Sequence, residues 1–202
     1  NTIATRDLQS LLDPMEVLSI VDYGNFFVDN MSGERSTEHI TAMVAETAST
    51  NAVPMMVGGD TSILYPAVKG IARFKGVKSF GLVHFSAHPD AELQSAHIVS
   101  DSQTISKLIT EGIVEGNDVI QIGLRGQAVD VSTLKWLSAR GVKYYTMAAV
   151  NLRGFAKVLT DIKKEARKGP DQLFVSIDVS VIEPTEMVSA GRIASNGLRV
   201  QQ

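Results

Sequence analysis

The feature that most constrains this chain is the alternation of short, apolar, β-rich runs with longer segments of helical period. Val17 to Tyr23, Val53 to Val57, Ser79 to Phe85, Asp118 to Leu124, Lys143 to Met147 and Leu173 to Val179 read as strands. Between them, Ser36 to Ala48, Ser62 to Phe74, Ser102 to Glu111, Ser132 to Arg140 and Leu152 to Lys168 read as helices. Ile40, Val44 and Ala48 share one face of the first, and Ser36 has the hydroxyl an N-cap needs. Gly141 follows the fourth helix, where a left-handed residue without Cβ costs least. This order predicts right-handed crossovers and a three-layer α/β/α domain with a mostly parallel sheet. The near-continuous apolar runs Val-Pro-Met-Met-Val, Phe-Gly-Leu-Val-His-Phe and Leu-Phe-Val-Ser-Ile predict strands buried on both faces.

Composition then removes whole classes of function. The 202 residues contain no cysteine, which excludes disulfides, thiol nucleophiles and zinc–thiolate sites. Ala52 to Val57 is the longest apolar run, far short of the roughly 18 residues of a membrane span. Nineteen Lys and Arg against 22 Asp and Glu leave a formal charge of −3, which speaks against a nucleic-acid groove. No basic flank precedes an apolar stretch near Asn1, so the expectation is a cytoplasmic chain with no membrane partner. Residues 1–202 are expected to form one domain. Asn1 to Asp13 is polar with no strand before it, and Gln202 follows directly on a turn. Terminal elements are therefore expected to be missing at both ends.

In open parallel sheets, ligands bind beyond the carboxyl ends of the strands. Three segments follow directly on expected strands: Gly58-Gly59-Asp60-Thr61-Ser62, Ser86-Ala87-His88-Pro89-Asp90, and Asp178-Val179-Ser180-Val181-Ile182-Glu183-Pro184. They place His88, Asp90 and Asp178 at one end of the sheet with the hydroxyls of Thr61, Ser86 and Ser180. An imidazole with two carboxylates is a hard donor set, suited to Mn²⁺, Fe²⁺ or Mg²⁺.

In this order the segments resemble the metal-binding signatures of the ureohydrolases, the arginase and agmatinase family. That family carries Gly-Gly-Asp-His-Ser, Asp-Ala-His-x-Asp and Ser-x-Asp-x-Asp-x-x-Asp-Pro. Val21-Asp22-Tyr23-Gly24, Val83-His84-Phe85, Glu111-Gly112-Ile113 and Gln121-Ile122-Gly123-Leu124-Arg125-Gly126 add to the likeness, which runs over about residues 15 to 200. The resemblance implies the arginase/deacetylase fold, two Mn²⁺ ions activating a bridging hydroxide, and hydrolysis of a linear guanidino compound to urea and an amine. It also implies a homo-oligomer, trimer or hexamer. It leaves the substrate open among arginine, agmatine, guanidinobutyrate and similar compounds.

The departures matter as much as the matches. His88, Asp90 and Asp178 keep three of the six ligand positions, while Thr61, Ser86 and Ser180 stand at the other three. Asp101 aligns with a histidine that acts near the substrate in many members, and Glu183 stands at the aspartate before Pro184. Protonated hydroxyls are poor ligands, and two divalent ions about 3.5 Å apart need more negative charge than Asp90 and Asp178 supply. The expectation is no binuclear cluster, and at most one weakly held divalent ion. Activity is then impaired; the alternatives are a pseudoenzyme serving as a structural or regulatory subunit, or a guanidino- or amine-binding module.

Other candidates have simpler readings. His84, inside an apolar strand, reads as a core histidine; His97 as an exposed loop residue; His39 as a surface residue. Gly58-Gly59 reads as a tight strand-to-helix turn, since no phosphate-loop pattern follows it.

Overall fold

The computed structural model describes residues 10–78, 80–93, 100–126, 130–187 and 192–202. Ser79 and His97, both named above, lie outside them. In chain order the helices and strands begin with α1 (Pro14–Val17), α2 (Gly33–Ser49) and α3 (Leu64–Lys75). They continue with β1 (Phe80–Phe85), α4 (Thr104–Thr110), β2 (Val119–Leu124), α5 (Val131–Ala139) and β3 (Lys143–Thr146). Then come α6 (Met147–Arg153), α7 (Phe155–Ala166) and β4 (Gln172–Ile177). The sheet order is β3-β2-β1-β4 and every pairing is parallel.

Two apolar clusters flank the sheet and define the three layers. On one face, Phe80 and Leu82 pack with Leu64 and Val68 of α3, Ile105 and Leu108 of α4 and Leu137 of α5. On the other, Val83, Ile120 and Ile122 pack with Met147 and Val150 of α6 and Val158 and Ile162 of α7. Each fully buried Leu or Ile contributes roughly 2 kcal/mol by leaving water. β1 and β2, central in the sheet, are buried on both faces, as the sequence of β1 predicts. Among the described residues, no helix is long and apolar enough to cross a membrane.

Four expectations are corrected. Val17–Tyr23 and Val53–Val57 form no ladder; Val53 and Val57 are 91% and 87% exposed. A strand needs a neighbouring strand for its N–H and C=O groups, and neither segment pairs with one among the described residues; Val17 instead ends α1, with Leu18 N donating to Pro14 O at 2.9 Å. β4, last in the sheet order, is not buried on both faces: Leu173, Val175 and Ile177 form an exposed row on one of them. The expected helix over Leu152–Lys168 is two helices, broken at Gly154, whose φ of +81° lies in the left-handed region. Ser32, not Ser36, caps α2 by accepting from Arg35 N at 3.2 Å. Ser36 instead lies in the first turn and holds the incoming chain, its Oγ accepting from Asp29 N at 2.9 Å.

One polar cluster ties α3 to α4. Tyr65 donates to Glu111 Oε2 at 2.6 Å, and Lys69 Nζ donates to the Tyr65 hydroxyl at 2.8 Å. Burial, and then the Glu111 carboxylate, push the Tyr65 phenol up. Burial would also push Glu111 up, but hydrogen bonds from Tyr65 and Lys107 outweigh it and hold the carboxyl below its ordinary value. The depressed carboxyl contributes stability that is complete above the ordinary carboxylate range and lost as pH falls through its folded value. The raised phenol contributes stability that is complete below the ordinary phenol range and lost as pH rises through its folded value. Urea midpoints of the wild type and Glu111→Gln should therefore converge in acid and separate at neutral pH. A pH-independent difference would contradict this account.

Candidate active site

All four strands point the same way, so the segments that follow β1, β2 and β4 meet at one edge of the sheet. The hydrogen bonding continues past the strands and fixes those segments. Ser86 N donates to Ile122 O at 2.9 Å, Asp178 N to Phe85 O at 2.8 Å, and Arg125 N to Ala87 O at 3.0 Å. Gly123 lets the chains approach: a Cβ there would lie 2.4 Å from Val181 Cγ2 and 3.1 Å from Ser86 O.

Among the described residues, Asp90 is the most deeply buried of the Asp, Glu, Lys and Arg side chains. Its φ of +46° is left-handed, a conformation aspartate tolerates better than most residues, and Ile105 N donates to its carbonyl at 2.8 Å. Its side chain is 1% exposed. Oδ2 accepts from His84 Nε2 at 3.0 Å and from Ser86 Oγ at 3.1 Å, and Oδ1 accepts from Arg192 Nη2 at 3.0 Å. His84, fully buried in β1, reaches Ser176 Oγ of β4 with Nδ1 at 3.1 Å. The core reading of His84 holds, but its ring also connects the middle of the sheet to the site.

The other positions divide between two groups. Asp178 accepts from the Thr61 hydroxyl, and its Oδ1 accepts from Ser180 N at 2.7 Å. Burial would push the Asp178 carboxyl up, yet the bonds from Thr61 and Ser180 prevail and hold it below the usual carboxylate value. Ser180 Oγ accepts from Ala87 N at 3.2 Å, and Ser86 Oγ accepts from His88 N at 3.0 Å. His88 Nε2 lies 3.1 Å from Arg192 O; a carbonyl only accepts, so Nε2 carries the hydrogen. Asp101 accepts from Ser102 N at 2.8 Å and lies 3.5 Å from Arg192 Nη2. The structure thus gathers His88, Asp90 and Asp101 around Arg192, and Asp178 around Thr61 and Ser180. Among the described residues, no three His, Cys, Asp or Glu side chains are placed to share one ion.

A cavity of about 870 Å³ opens beside the first group, with His88, Asp90, Glu92, Arg125, Asp130 and Arg192 in its lining. Thr61, Asp178 and Ser180 are not part of that lining. Arg125 closes the base. Its guanidinium donates to the carbonyls of Gly123, Ser180, Ile182, Ala194 and Ser195 at 2.7–3.3 Å. Burial pushes its pKa down, and Glu183 opposes the shift. Glu183 and Glu186 hold the C-terminal turn by accepting from Gly197 N at 2.7 Å and Val200 N at 2.6 Å.

Sequence reasoning missed Arg192 and the wider role of His84. Arg192 lies 102 positions from Asp90 in a stretch without periodicity, so no local signal could have paired them. It also missed the contact made by Gln121 of β2, whose amide donates to Pro89 O, next to Asp90, at 2.6 Å.

Comparison with known proteins agrees with this architecture. A family model described as the arginase family matches residues 2–202. The chain is 26% identical to a formimidoylglutamase of Halalkalibacterium halodurans over 98% of its own length and 62% of that protein's. It is 23% identical to a mitochondrial agmatinase of Gallus gallus, covering 94% of the chain and 55% of the relative. The crystal structure of formimidoylglutamase from Bacillus subtilis superimposes with a TM-score of 0.83 at 25% identity, over 89% of this chain and 56% of that one. The chain therefore spans 55–62% of the length of these three relatives. With a parallel sheet, the ordered segments at its carboxyl edge and a family match over nearly every residue, this chain belongs to the arginase family.

Proposed function

We propose that this is a ureohydrolase relative in which the family's metal-dependent hydrolysis of a linear guanidino compound to urea and an amine is impaired. The observation that carries this reading is the bonding of the three hydroxyls at the altered ligand positions. Thr61 donates to Asp178, Ser86 donates to Asp90, and Ser180 accepts from Ala87 N. Side chains that would have been metal donors instead satisfy the remaining carboxylates and the backbone. His88, Asp90 and Asp178 do not fit a pair of divalent ions, because Asp90 and Asp178 face different partners and supply only two negative charges. At most one weakly held Mn²⁺ is consistent with that set.

A second reading, a binding module for a guanidino or amine ligand, is favoured by the cavity lining. Asp90, Glu92 and Asp130 bring three carboxylates; the guanidinium of Arg125 is committed to backbone carbonyls and that of Arg192 offsets Asp90, which leaves Glu92 and Asp130 in excess. A cation is the ligand such a lining attracts.

Calorimetric titration of Mn²⁺ into the metal-stripped protein, with urea release from arginine, agmatine and guanidinobutyrate, tests both. We expect no tight two-ion isotherm, and urea release slower by about a thousandfold or more than in an active relative assayed alongside. Two tightly bound ions with comparable turnover would refute the proposal. Calorimetric binding of one of these compounds without urea release would favour the second reading.

A further inference from the structure

We infer that Arg192 is the resident cation of this pocket: its guanidinium bridges Asp90 and Asp101, and a cationic ligand must displace it. Asp90 is buried, and a carboxyl group taken out of water is costly unless polar or charged partners meet it. Two of its contacts come from behind, where His84 and Ser86 hold Oδ2. Oδ1 takes Arg192 Nη2 at 3.0 Å, and the same nitrogen lies 3.5 Å from Asp101 Oδ2. The Arg192 side chain is 42% exposed, so a ligand entering the cavity can exchange with it. Its backbone is held separately, because the Arg192 carbonyl accepts from His88 Nε2. The segment can therefore stay docked while the guanidinium moves.

A single nitrogen, Nη2, meets both carboxylates, so the space between Asp90 and Asp101 takes one cationic N–H group, and the chain provides it itself. This inference rests on the reading that no metal pair neutralises Asp90, but it fails or stands on a separate measurement.

Arg192→Ala removes the side chain and keeps the carbonyl. We expect its melting temperature to fall by several degrees, and millimolar guanidinium to restore part of that loss. Sodium chloride at equal ionic strength should not, and the wild type should show no such gain. Arg192→Gln preserves length without charge and guards against a misfolded alanine variant. It should bind agmatine about tenfold or more tightly than the wild type, since the competing cation is gone. Unchanged stability in Arg192→Ala, or a loss that guanidinium does not reverse, would overturn the inference. So would equal agmatine affinity in Arg192→Gln and the wild type. Two Mn²⁺ ions in the wild type would defeat the impaired-site reading without touching the guanidinium response.

Discussion

Replacing Ser86 by aspartate should destabilise the metal-free protein by about 2–5 kcal/mol, the scale of an uncompensated buried charge. Ser86 is fully buried, and its Oγ donates to Asp90 Oδ2 at 3.1 Å. A carboxylate there loses that donor and faces a second carboxylate at hydrogen-bond range. Arg192 already serves Asp90 and cannot neutralise both. The pair can only share a proton or recruit a cation. Adding Thr61→His and Ser180→Asp supplies further donors, so Mn²⁺ should return stability to the triple variant. At a free concentration a hundredfold above Kd the gain is about 2.7 kcal/mol. Urea unfolding with chelator and with Mn²⁺ makes the comparison. If the triple variant is as stable as the wild type in chelator and indifferent to Mn²⁺, these positions do not form the site proposed for them.

The second large effect belongs to Arg125. Arg125→Ala should cost about 3–5 kcal/mol, because it leaves several partly buried carbonyls without a charged donor. Those carbonyls belong to Gly123, to Ser180 and Ile182 after β4, and to Ala194 and Ser195 of the C-terminal segment. Arg125→Lys should lose a large share of this, since an ammonium cannot reach both sides of the fork. Chemical unfolding gives the magnitude. Limited proteolysis gives the location: cleavage near Ala194 and Ser195 should accelerate before the sheet itself is attacked. Uniform destabilisation with no early cut there would show that Arg125 does not hold that segment.

How far the sequence could be read depends on which groups need distant partners. β1 and β2 were legible within a residue or two, because their apolar runs are packed on both faces and burial dominates their composition. Val53–Val57 is also a continuous apolar run, yet Val53, Met55 and Val57 stand exposed and the segment forms no ladder. Local pattern reports a preference for extended backbone but cannot supply the neighbouring strand. The break at Gly154 was visible as a glycine within a helical period, but that period continues across it. At the site, Thr61, Ser86, His88, Asp90, Asp178 and Ser180 were named for their positions after expected strands, and the one expected before Thr61 forms no ladder. Their hydrogen-bond partners were not. Whether Asp90 meets a metal or Arg192 depends on how the C-terminal segment folds back, where Leu198 N donates to Val181 O at 2.8 Å. Arg125 stood within the quoted run from Gln121 to Gly126, but only its five carbonyl partners reveal its task.

The His84 ring is also a built-in spectroscopic reporter. It lies in the sheet interior between Ser176 Oγ and Asp90 Oδ2, shielded from solvent, while Asp90 borders the cavity. Whatever charge sits on Asp90 polarises the imidazole N–H behind it. The chain has only four histidines, so the nitrogen-15 signals of its imidazoles form a sparse spectrum. Exchange of one cation for another at Asp90 can then be followed from inside the protein, without labelling the ligand or altering the pocket.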